Sequence, residues 1–77
     1  MKKYTLKQIK NFIAEGIAED ITNYSFEAVN TLRKENRLEK IGYSSGVYGI
    51  NGGLLQDTES GKLYAIDARN ATLMQLF

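Results

Sequence analysis

Cysteine and histidine are both absent from this 77-residue chain. Without them no disulfide can form and the usual zinc ligand sets cannot be assembled. The same absences remove the commonest general base and the most nucleophilic side chain, leaving Asp, Glu, Lys, Tyr, Ser and Thr for any chemistry. Catalysis is therefore not expected, and no catalytic residue, metal ligand or cofactor is assigned. Long apolar runs are missing too, since no stretch approaches the roughly 20 residues that a membrane helix needs. A basic start at Lys2-Lys3 is followed by Tyr4-Thr5-Leu6-Lys7-Gln8, which interrupts any signal-peptide core. The expectation is a cytoplasmic protein with no membrane partner.

What is present has the composition of a folded domain: 43% hydrophobic and 25% charged residues argue against a disordered chain. The length permits one core. A chain this short buries only about 60–65% of the surface its unfolded form exposes, so stability has to come from packing or from self-association. Charge is segregated along the chain. Residues 1–14 carry four Lys and no acid, whereas residues 15–32 carry four acids and no base.

The first third predicts a helix with readable ends. Thr5 followed three residues later by Gln8 fits a capping box, in which each side chain satisfies an unpaired N–H of the first turn. Leu6, Ile9, Phe12, Ile13 and Ile17 fall on one helical stripe, with Lys3, Lys7 and Lys10 on another face. Gly16 suits the position just past the helix end. Residues 17–23 show no period and read as a connection. A second helix is expected from Ser25 to Asn36, burying Phe26, Val29, Leu32 and the stem of Arg33. It has Glu27 in its first turn and Arg33, Lys34 and Arg37 at its other end, the polarity that the helix dipole favours.

From Leu38 onward, short apolar runs alternate with turn residues. Strands are expected at 38–43, 47–50, 54–57, 62–67 and 72–77. Asn51-Gly52 is the strongest hairpin signal, because a type I′ turn needs positive φ at both central residues. Connections this short impose antiparallel pairing. The fold class is therefore α+β, a single domain over residues 1–77 with two N-terminal helices packed on a small C-terminal antiparallel β-meander of three to five strands. Strand 72–77 has apolar residues on both faces, Leu73 and Phe77 against Met74 and Leu76. It is either a central strand covered by the helices or an edge that pairs with a second copy, making a homodimer.

Motifs that would carry chemistry are weak. Asp57-Thr58-Glu59-Ser60-Gly61 begins like a calcium loop but lacks its later glycine and terminal glutamate, and reads as a turn. Residues 46–53 are glycine-rich without phosphate-binding spacing, and read as β-turn geometry with Gly49 marking a bulge or a close backbone approach. The helix, connection, helix and hairpin over residues 5–50 resemble a winged helix-turn-helix, which makes Arg33, Lys34, Arg37, Tyr43 and Tyr48 candidate nucleic-acid or partner contacts. The net charge of +1 counts against duplex binding. Tyr43, Tyr48 and Tyr64 could share an exposed face or pack over the edges of a small core.

The runs Ser45-Gly46-Val47-Tyr48-Gly49-Ile50-Asn51-Gly52-Gly53-Leu54 and Gly61-Lys62-Leu63-Tyr64-Ala65-Ile66, with Ala68-Arg69-Asn70, resemble small proteins carried by phages and mobile elements of Gram-positive bacteria. The resemblance implies an accessory protein that contacts a host or element component, and it transfers no site. The function expected is non-enzymatic protein interaction, with nucleic-acid binding as the alternative.

Overall fold

The structure is a computed structural model that describes residues 2–46, 49–67 and 73. Seven elements follow one another: β1 (Lys2–Lys3), α1 (Leu6–Ala14), β2 (Ala18–Asp20), α2 (Phe26–Asn36), β3 (Leu38–Gly46), β4 (Gly49–Asp57) and β5 (Leu63–Ile66). The strands form one sheet in the order β1-β3-β4-β5-β2. Its centre is the expected meander, with β3–β4 and β4–β5 antiparallel. Its edges are not. β1 lies parallel to β3 and β2 parallel to β5, so the sheet is mixed and the helices are interleaved with strands rather than stacked ahead of them.

Local sequence sets both helices. The Thr5 hydroxyl accepts from the Gln8 N–H at 3.1 Å while the Gln8 side chain accepts from the Thr5 N–H at 2.9 Å, completing the capping box. At the other end Gly16, at φ 74°, donates to Ile13, and Ile17 donates to Phe12. That paired closure is a Schellman motif, and it ends α1 at Ala14. Ile17 is therefore not on the helical stripe; it is 48% exposed, one residue ahead of β2. Ser25 caps α2 by accepting from the Ala28 N–H, and Arg37 in the left-handed conformation closes it. Val29 is fully buried, but Phe26 is 46% exposed and does not belong to the buried face.

The two helices cover opposite faces. Leu54 packs with Ile9, Ala18 and Ala65 on the α1 side, whereas Leu55 packs with Ile21, Val29, Leu38, Tyr64 and Ile66 on the α2 side. Consecutive strand residues point to opposite faces, so β4 is buried on both. Because β1 and β2 are the two outer strands, the chain between them has to cross the whole sheet. Four strand spacings are about 19 Å and a helix of this length is about 13–14 Å, so α1 with its caps spans that distance. α2 returns over the other face to β3.

Asn51-Gly52 is not the hairpin turn. Both residues lie within β4, and β3 and β4 stay paired out to Gly46 opposite Gly49. Residues 47–48, between the paired ends of β3 and β4, lie outside the described residues. Register shifts place an extra residue at Ile41 on β3 and at Asn51 on β4, so the bulge is at Asn51 rather than Gly49. Gly52 is glycine for space: a Cβ there would come 3.1 Å from the Ile66 carbonyl oxygen and 3.5 Å from both Leu6 Cδ1 and Ile9 Cδ1. The expected strand 72–77 lies outside the described residues except for Leu73, which is helical and 1% exposed within the α2-side core.

Gly42 meets a similar constraint at the β1 edge. The Tyr4 ring lies across it, with Cδ2 2.7 Å from where a Cβ would stand, and stacks edge-on against Phe12 at 5.6 Å. Gly42→Ala should lower the unfolding free energy by about 1–3 kcal/mol in urea titration, by overpacking. In a Tyr4→Ala background the same substitution should cost far less, because the obstructing ring is gone.

Candidate functional site

The sequence-predicted basic and tyrosine residues are carried by different elements, and Tyr48 lies outside the described residues. Arg33 and Lys34 sit in the last turn of α2. The Arg33 guanidinium bonds Asn30 Oδ1 at 3.1 Å, and its Nε is buried without a hydrogen-bond partner among the described residues. Arg37 faces the β4–β5 turn and pairs with Glu59 at 3.7 Å, both side chains well exposed. Tyr43 is half-buried on β3, Tyr64 is 5% exposed within the core, and Tyr48 lies outside the described residues. Leu73 is buried; Met74, Leu76 and Phe77 lie outside the described residues. With the sheet between them, α1 and α2 do not form the helix-on-helix pair of a helix-turn-helix.

The carboxylates are mostly occupied by the fold. Asp57 accepts the Glu59 N–H at 2.8 Å and the Ser60 N–H at 3.2 Å, closing the turn from β4 to β5, and Gly61 completes it at φ 79°. Asp20 Oδ1 accepts the Thr22 N–H and hydroxyl, and the Thr22 Oγ1 in turn accepts the Asp67 N–H at 2.9 Å. This chain of bonds ties the end of β2 to the end of β5. Among the described residues no three His, Cys, Asp or Glu side chains converge as metal ligands, and no helix is long and apolar enough to cross a membrane.

A different surface emerges at the β2 edge. The large hydrophobic residues exposed among the described residues are Ile17 at 48%, Tyr24 at 41% and Phe26 at 46%. Ile17 immediately precedes β2, and Phe26 opens the helix that follows it. Tyr24 reaches back along β2, with its hydroxyl 3.5 Å from Glu19 Oε2. Glu19 is in register with Tyr64, and Lys62 bridges the two: its Nζ is 3.5 Å from Glu19 Oε1 and 5.1 Å from the centre of the Tyr64 ring. The phenol of Tyr64, then the carboxylate of Glu19, hold the Lys62 ammonium above its ordinary pKa. Exposed apolar residues thus stand on either side of a mainly acidic strand in the chain, and Tyr24 and Lys62 both reach its Glu19. The sequence missed it because residues 17–23 read as a connection; the exposed run Ile17, Tyr24, Phe26 beside a stretch without bases was the available signal.

Compared with protein-family models, curated proteins and solved structures, the chain matches none.

Two backbone N–H groups, of Glu59 and then Ser60, hold the Asp57 carboxyl below its usual pKa. With the folded value below the unfolded one, the ionised carboxylate stabilises the fold above the unfolded value of about 3.9. That contribution is lost as pH falls through the lower, folded value. Asp57→Asn should therefore lower the urea midpoint near neutral pH, and the gap from wild type should close in strongly acidic buffer. An unchanged gap would mean that charge does not hold the turn.

Proposed function

We propose that this chain is a non-enzymatic interaction domain that docks a protein partner on the β2 shoulder. The observation that carries the reading is the exposure of Ile17, Tyr24 and Phe26, which stand just before and after β2 in the chain, with the Tyr24 hydroxyl reaching Glu19 on that strand. Single exposed apolar residues are ordinary, but several large ones bordered by charge mark interaction surfaces. Aromatic anchors beside a hydrogen-bonding polar group are the usual centre of such a contact. Glu19 and Lys62 supply that group here, already positioned by Tyr24 and Tyr64. An accessory role in a phage or mobile element is in keeping with a small domain of this kind.

Affinity capture with the wild-type domain, with Phe26→Glu and with a Lys7→Glu, Lys10→Glu control should recover a partner that the first and third retain and the second loses. Once purified, that partner should bind Phe26→Glu at least about tenfold more weakly than wild type. The variant's unfolding midpoint should stay unchanged, since Phe26 is not part of the core. A partner indifferent to Phe26→Glu would overturn the assignment of this surface.

A further inference from the structure

We propose that the outer edge of β2 receives an extended, basic segment of a partner protein as an added sixth strand. This deepens the reading of the shoulder as a protein-docking surface and rests on it. Among the described residues β2 is the last strand in the sheet order, and it is bonded on its inner side to β5, where the Ile21 N–H donates to the Ala65 carbonyl at 3.0 Å. In a parallel ladder alternate residues face the neighbour, so Ile21 and Glu19 turn their backbone groups toward β5. Ala18 and Asp20 turn theirs outward. Those groups form the template on which an incoming strand can pair.

The charge around this edge selects the occupant. Glu19 and Asp20 lie on β2, Glu15 precedes it and Glu27 follows it, and residues 15–32 contain no base. Lys62 neutralises Glu19 only from the inner side, and the Glu19 side chain remains 43% exposed. A charged edge is a guard against neutral or acidic strands, but it admits a strand of opposite charge. Ile17, immediately before β2, and Tyr24 and Phe26, shortly after it, are exposed and would contact the apolar side chains that alternate with basic ones along such a segment. The opposite edge of the sheet, β1, is Lys2–Lys3. A second copy offering that edge is the competing occupant, yet its two lysines match less of the acidic run from Glu15 to Glu27 than a longer basic segment does.

The test uses the full chain and a blocked peptide of about eight residues alternating lysine and valine. Binding should shift backbone amide resonances from Ile17 to Phe26 and slow hydrogen exchange at Ala18 and Asp20. Affinity should fall at least about tenfold when alternate peptide nitrogens are methylated, which removes ladder donors and keeps the charge. It should also fall as salt rises and in a Glu15→Gln, Glu27→Gln variant. Absence of binding at low salt, or binding indifferent to N-methylation, would overturn the proposal. So would self-association of the chain that Lys2→Glu, Lys3→Glu abolishes, because the edge would then belong to a second copy. If the peptide fails while a captured partner still depends on Phe26, strand addition falls and the docking surface stands. A peptide that docks on β2 while the captured partner ignores Phe26 gives the reverse.

Discussion

Leu54 and Leu55 are neighbours on the central strand, both buried, and they belong to different cores. A strand that is apolar on both faces has to be covered on both, because each buried side chain is worth about 1.5–3 kcal/mol relative to exposure. Of the helices among the described residues, α1 covers one face and α2 the other. The rest of the architecture follows from that requirement. A helix on each face forces the chain to cross the sheet twice: α1 runs from the β1 edge to the β2 edge, and α2 returns from β2 to β3, beside β1. β1 and β2 exist because the chain has to enter and leave there. They are short, parallel to their neighbours, and charged, which limits unwanted pairing of the edges.

Thin layers demand close approach. In a domain of this size α1 has to lie directly on the sheet, and the glycines of β3 and β4 are where it does so. Gly52 accommodates Leu6 and Ile9, and Gly42 accommodates the ring of Tyr4. Glycine in a strand is weakening in itself, yet it is favoured where another group approaches the backbone this closely. The same closeness explains why no pair of helices is available to form a grooved reading head. The sheet separates α1, with Lys7 and Lys10, from α2, with Arg33 and Lys34.

That separation also shapes the surface. The lysines of residues 1–14 fall on β1 and the outer side of α1, while the acids of residues 15–32 fall around β2 and the start of α2. A charge pattern that is linear in sequence thus becomes a polarity between the two edges of one sheet. The exposed apolar residues Ile17, Tyr24 and Phe26 stand in the chain just before and after the acidic strand β2.

Interactions that close within a few residues were legible without a fold. The Thr5–Gln8 capping box, the Gly16 closure, the Ser25 cap and the turn at residues 58–61 all depend on groups three to five positions apart, so their residue types announce them. The meander of β3, β4 and β5 was legible for the same reason, through short connections. Its turn was not. Asn51-Gly52 has the chemistry of a hairpin, but packing against α1 and β5 uses Gly52 for space, and the pairing of β3 with β4 continues past it. β1 and β2, at two and three residues, carry no period that a sequence can display; they are strands because a distant strand lies beside them. The exposure of Ile17 and Phe26 was decided in the same way. An apolar residue at helical spacing is buried only if a layer lies under it, and where the layers end is a property of the assembled sheet, not of the chain near that residue.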